Sequence, residues 1–154
     1  MKEGDKAPAF SLRGSDGKLH NLQEFRGKTL VLYFYPRDDT PGCTIEAKEF
    51  TEQFDRIAGM GATVVGVSKD DLDSHSRFCS KYGLRILLLS DPSSEVIKAY
   101  GAYGSMGVFG MGTLRNTYII DSNGIIVKAF DRVRANGHAS EVLSFLKGMK
   151  SAGK

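Results

Sequence analysis

The chain is short of cysteine, of long apolar runs and of any block of one charge, and each shortage excludes a class of function. Two cysteines in 154 residues cannot form the disulfide framework that stabilises small secreted domains. No apolar stretch approaches the roughly 20 residues that a transmembrane helix needs. The opening residues Met1-Lys2-Glu3-Gly4-Asp5-Lys6 lack the apolar segment of a secretory signal. A cytoplasmic protein is expected, with no membrane partner, and in that compartment a disulfide is transient and catalytic rather than structural. Lysine and arginine total 21 against 18 acidic residues, spread along the chain with no basic patch for nucleic acid. His20, His75 and His138 stand at no ligand spacing with the cysteines, so no metal centre is expected. The chain has no internal repeat.

What remains describes one globular domain. Hydrophobic residues make up 41% and charged residues 25%, enough to bury a core without disulfides or metals. Residues 1–148 read as that domain, and the basic segment 149–154 as a frayed tail. Residues 29–35 form a continuous β-branched and aromatic run, the mark of a strand buried on both faces. Beyond residues 36–42, apolar side chains at Ile45, Phe50, Phe54 and Ile57 predict one long amphipathic helix ending near Gly59 or Gly61. Residues 63–68 form a second buried strand, giving a parallel βαβ unit.

A helix over 70–82 places Leu72, Phe78, Cys79 and Tyr82 on one face, with Gly83 as its left-handed end. A solvated His75 is expected on that helix. Residues 87–90 read as a third strand, and Asp91-Pro92-Ser93 opens a helix through Val96, Ile97 and Tyr100. Asn123-Gly124 predicts a hairpin between strands at 116–120 and 125–130. A last helix after His138 has Val142, Leu143 and Leu146 as its stripe. Near the start, Asp16-Gly17 turns a small hairpin, and Asn21 caps a single turn through Phe25. The sum is an α/β fold, a central mixed sheet with helices on both faces and an N-terminal β-hairpin. Residues 101–112 carry five glycines among Tyr103, Met106, Val108, Phe109 and Met111. They are expected as a mobile surface loop; the alternative is an apolar flap or partner patch near the reactive centre.

The most informative stretch is Pro36-Arg37-Asp38-Asp39-Thr40-Pro41-Gly42-Cys43. It puts a cysteine in the first turn of a helix, where backbone N–H groups lack intrahelical partners and the macrodipole favours negative charge. The thiolate is the reactive form of cysteine. Polar turn residues ahead of Cys43 argue for a reactive thiol over a small core residue.

This octapeptide resembles the peroxiredoxin pattern of proline, three residues, threonine, two residues and cysteine, most closely that of the peroxiredoxin Q (bacterioferritin comigratory protein) group. The likeness continues in residues 4–10, Cys43-Thr44-Ile45-Glu46-Ala47, Leu89-Ser90-Asp91-Pro92, residues 115–121 and Arg132-Val133. The resemblance implies a thioredoxin-like fold and a thiol peroxidase without a cofactor, with Cys43 attacking a hydroperoxide and passing through a sulfenic acid. Thr40 would contact the peroxide, and the N–H groups of Gly42 and Cys43 would face the same point. Arg115 would keep the sulfur ionised and steady the developing charge, and Pro36 would shield it. Glu46 would pair with the arginine.

The resolving cysteine that many such sequences carry five residues on is Lys48 here. Another branch of the family places it in a later helix, which points to Cys79 and an intramolecular disulfide, with a one-cysteine cycle as the alternative. Thioredoxin is the implied reductant, glutaredoxin or glutathione the alternative, and a monomer the implied state. A dithiol oxidoreductase would need Cys-x-x-Cys, which Cys43-Thr44-Ile45-Glu46 lacks. A non-enzymatic chaperone or binding role would rest on residues 101–112 alone.

Overall fold

Residues 29–34 alternate in their facing, and both faces are covered. A computed structural model describes residues 1–152. In it Thr29–Phe34 forms β3, with Val31 and Tyr33 in one core layer and Leu30, Leu32 and Phe34 in the other. Burial on both sides explains why the run is apolar throughout. Around β3 are β1 (Ser11–Gly14), β2 (Leu19–Asn21), β4 (Ala62–Ser68), β5 (Leu87–Ser90), β8 (Thr117–Ile120) and β9 (Ile126–Phe130). They make one seven-stranded sheet in the order β2-β1-β5-β4-β3-β8-β9. The β3, β4 and β5 strands run parallel, and the outer pairings are antiparallel.

Helices α1 (Pro41–Glu52), α2 (Phe54–Gly59), α3 (Leu72–Tyr82) and α5 (His138–Ala152) supply Ala47, Phe50, Ile57, Phe78 and Val142 to one core layer. The other layer takes Ile97 from α4 (Glu95–Ala99) and Phe25 from the 3-10 turn Leu22–Phe25, with Tyr100 beside them. Both predicted hairpins form. Gly17 and Gly124 take φ of 79° and 83°, and β1 joins the main sheet through Arg13↔Ser90. Asn21 accepts from the Glu24 N–H in a capping box, and Gly83 ends α3 at φ 61°, both as expected.

Several details differ from the sequence reading. The long helix is interrupted at Gln53, whose backbone (φ −92°, ψ 5°) leaves helical geometry and starts α2. Ile45 faces outward at 43% exposed, because the inward stripe is Cys43, Glu46, Ala47 and Phe50. Glu46 takes a core position that an apolar periodicity would not assign to a carboxylate. Pro92 lies in a turn ahead of α4, since Ser94 sits at φ 61° and the Asp91 carboxylate accepts from the Ile97 N–H at 2.8 Å. Residues 101–112 are a hairpin, β6 (Tyr103–Ser105) against β7 (Met111–Thr113). A side chain on Gly112 would press on Met106, so glycine there serves close packing, while Gly107 and Gly110 take the positive φ of the turn. Val108 and Phe109 stand exposed at the hairpin tip. Helix α5 continues to Ala152, through much of the segment expected to fray; residues 153–154 lie outside the described residues.

The topology gathers distant residues at one edge. The chain leaves β3 toward α1 beside the incoming end of β8, where the Phe34 N–H donates to Asn116 O. The carboxyl end of β4 adjoins it, the Tyr35 N–H donating to Val67 O. Ligands of open α/β sheets bind at such carboxyl ends. No described helix is long and apolar enough to cross a membrane.

Candidate active site

Helix α1 opens with Thr40 as N-cap (φ −99°, ψ 158°) and Pro41 at its first position, a place where proline's missing N–H costs nothing. The first intrahelical bond runs from the Thr44 N–H to Thr40 O at 2.9 Å. The N–H groups of Gly42 and Cys43 therefore have no partner within the helix. The Thr40 hydroxyl does not cap the helix; it donates to Arg37 O at 2.8 Å. With its proton committed there, its lone pairs remain to accept a bond from a bound molecule. Cys43 is 1% exposed.

Arg115 reaches this helix start from the short link between β7 and β8, and its Nη1 donates to Cys43 Sγ at 3.5 Å and to Glu46 Oε1 at 2.9 Å. Burial works against the guanidinium charge, but the Cys43 sulfur and Glu46 carboxylate outweigh it and hold the Arg115 pKa above its ordinary value. Glu46 is fully buried, and burial pushes its pKa up to about 7 against the opposing pull of Arg115. Among the described residues its Oε2 has no hydrogen-bond partner. A Cβ on Gly42 would lie 2.9 Å from Arg115 Nη2, so glycine here admits the guanidinium to the helix start. The structure thus brings Cys43, Gly42, Arg115 and Glu46 together. Pro36 is half-buried and lines an adjacent open cleft of ≈ 820 Å³ with Arg37, Asp70, Arg77, Met106 and Phe109. The β6–β7 hairpin therefore overlooks the loop that precedes Cys43.

Beneath that loop lies a polar network that sequence reasoning missed. His75, expected in solvent, is fully buried. Its Nδ1 lies 2.6 Å from Asp38 Oδ2 and its Nε2 2.9 Å from Leu89 O. Asp38 also accepts from the Tyr35 hydroxyl at 2.6 Å and the Ser74 hydroxyl at 2.8 Å. Burial disfavours a charged ring, yet Asp38 prevails and the His75 pKa is raised. Asp38, Asp70 and His75 offer ligand atoms within 4.8 Å of one another, but both ring nitrogens are already engaged. The missed signal was spacing: His75 precedes Phe78, Cys79 and Tyr82 by three, four and seven positions, which is one helical face.

Cys79 is a half-buried free thiol, with its pKa raised by burial. It lines a separate depression with Ser15, Asp16, Arg85 and Leu87, beside β1 and β5, whereas Cys43 lies beside β3 and β8. Two to three strand spacings separate these positions, about 10–14 Å.

The chain that carries this arrangement is similar over nearly its whole length to known proteins. The AhpC/TSA family model covers residues 3–129. A Helicobacter pylori protein named putative peroxiredoxin bcp is 43% identical over 149 residues, spanning 95% of this chain and 98% of its own. This chain belongs to the AhpC/TSA family, in its peroxiredoxin Q (Bcp) branch. The Bacillus subtilis peroxiredoxin Bcp shares 38% identity across 95% of both chains. A mutant of the Xylella fastidiosa PrxQ superposes with a TM-score of 0.93 at 35% identity, covering 96% of each chain. The Xanthomonas campestris bacterioferritin comigratory protein, described for its alkyl peroxide reduction activity, superposes at 0.87 with 33% identity over 92% of each chain. The peroxiredoxin fold is thioredoxin-like, and membership makes the chain a thiol peroxidase that takes a peroxide substrate and a thiol reductant.

Proposed function

We propose that this peroxiredoxin reduces hydrogen peroxide and alkyl hydroperoxides at Cys43, resolves the oxidised sulfur with Cys79 and is recycled by thioredoxin. The observation that carries this reading is the Arg115 guanidinium donating to both Cys43 Sγ and Glu46 Oε1 at the mouth of α1. Arginine and unpaired helix N–H groups together favour the thiolate. The thiolate attacks one peroxide oxygen; the S–O bond forms as the O–O bond breaks, and the leaving alkoxide or hydroxide takes up a proton. Charge then spreads over the sulfur and both oxygens, so fixed donors around them stabilise the transition state. Arg115 and the N–H groups of Gly42 and Cys43 are those donors, and the Thr40 hydroxyl oxygen accepts a hydrogen bond from the peroxide O–H, whose proton stays on the sulfenic oxygen. Pro36 excludes water from one side. Glu46 orients Arg115.

In the second step the Cys79 sulfur displaces the sulfenic hydroxyl, forming the Cys43–Cys79 disulfide and releasing water. Thioredoxin then supplies two electrons and two protons to regenerate both thiols. We place the protein in the cytoplasm as a monomer. Met106 and the exposed Phe109, which line the cleft, suit the apolar portion of an alkyl hydroperoxide. A second reading, a one-cysteine cycle, draws support from the separate depression that Cys79 occupies.

An NADPH-coupled assay with thioredoxin, its reductase and a panel of hydroperoxides separates the two. Cys79→Ser should lose sustained turnover while keeping one round of peroxide reduction. Full turnover in that variant would establish the one-cysteine cycle instead.

A further inference from the structure

Four hydrogen bonds tie the residues just ahead of α1 to the helix that carries Cys79. Asp38 accepts from Ser74 Oγ and pairs with His75 Nδ1 in the first turn of α3. Asp39 accepts from Lys81 Nζ at 2.8 Å and from the Tyr82 hydroxyl at 2.6 Å in the last turn. The loop is therefore strapped to both ends of one helix. The inner bond is charge-assisted: Leu89 O can only accept, so Nε2 carries a proton, and a second proton lies between Nδ1 and Asp38 Oδ2. The outer residue is strained. Asp39 sits at φ 57°, a conformation that disfavours a non-glycine residue and persists only where neighbours enforce it.

Resting on the two-cysteine reading above, we propose that this strap governs disulfide formation, with Asp38, Asp39, His75 and Tyr82 as positioning residues that hold the sulfurs apart. A disulfide needs Cα atoms within roughly 7 Å, well short of the two to three strand spacings between Cys43 and Cys79. If the first turn of α1 unwinds toward α3, Asp38 and Asp39 must leave their partners. If the last turn of α3 unwinds toward α1, Lys81 and Tyr82 must leave Asp39. Either route breaks the Asp39 bonds, and relaxation of its backbone favours the opened state. Strap strength then sets how long the sulfenic acid at Cys43 persists, and hence how much a second peroxide converts to sulfinic acid.

The test uses the full chain in single-turnover mode, following three quantities: peroxide attack on Cys43, formation of the Cys43–Cys79 bond, and the sulfinic fraction as peroxide is raised. Tyr82→Phe keeps the ring stacked on Phe78 and removes one bond to a carboxylate; Lys81→Ala removes the other. Each should speed disulfide formation by roughly two- to fivefold, the worth of one solvent-exposed bond, and lower the sulfinic fraction, while the attack rate does not change. Asp39→Asn, which tolerates the left-handed backbone and still accepts one bond, should fall between wild type and Tyr82→Phe. Unchanged or slower disulfide formation in all three variants, with the bond forming normally in wild type, overturns the strap. Absence of the Cys43–Cys79 bond in oxidised wild type instead refutes the two-cysteine reading on which it rests.

Discussion

Replacing Glu46 with glutamine isolates the least usual group in the core. The carboxyl is fully buried, and its pKa is raised from 4.5 to about 7. An acid whose folded pKa is raised binds its proton more tightly in the native state, so the unfolded chain ionises first and stability falls as pH rises from about 4.5 to 7. At about 1.4 kcal/mol per pH unit, a rise of about 2.5 units amounts to about 3 kcal/mol lost by pH 8 relative to pH 4. Urea unfolding of wild type and Glu46→Gln under reducing conditions, at pH 5 and pH 8, measures the difference between their pH slopes. His75, with its own raised pKa, stabilises most below its unfolded value near 6.5 and loses that contribution as pH climbs through its folded one. That loss is common to both proteins and cancels. Wild type should fall more steeply than the variant by about 2–3 kcal/mol, or roughly 4–12 °C in Tm. Parallel slopes would refute a buried carboxylate that ionises near neutrality.

Two further outcomes follow from the same arrangement. Gly42→Ala should lower kcat/KM by about tenfold with little change in Tm, because the added methyl presses on Arg115 rather than on the core; steady-state kinetics beside thermal unfolding checks it. Arg115→Lys should cost roughly 100-fold in the rate of peroxide reduction, since the shorter lysine side chain does not reach the point from which Nη1 touches both sulfur and carboxylate. Stopped-flow oxidation reads that loss directly.

Much of the fold was legible because its signals are local. The two-faced burial of residues 29–34, the Asn-Gly hairpin and the left-handed Gly83 each depend on a few neighbouring residues. The octapeptide around Cys43 was legible for the same reason: proline, glycine and cysteine at a helix start carry their meaning in short range. Ile45 read the wrong way round, because only the Arg115 side chain, 69 residues beyond Glu46, makes a carboxylate tolerable in the core in its place; the Glu46–arginine pair itself came from the family resemblance and not from periodicity. His75 was misread likewise, its burial depending on Asp38, 37 residues earlier. The glycines of residues 101–112 suggested an irregular loop, whereas Gly104 and Gly112 admit Leu114 and Met106 against the β6–β7 pair and Gly107 and Gly110 supply the positive φ of its turn. Long-range pairing decided the placement of Ile45 and His75.

The central claim is that one sulfur, Cys43, is poised to take oxygen from a peroxide. Cys79→Ser protein treated with one equivalent of hydrogen peroxide in the presence of dimedone, then digested and analysed by mass spectrometry, tests it most directly. A near-stoichiometric adduct on the Cys43 peptide, absent after Cys43→Ser, is the predicted result. Peroxide consumed at an undiminished rate in the Cys43→Ser protein would contradict the account.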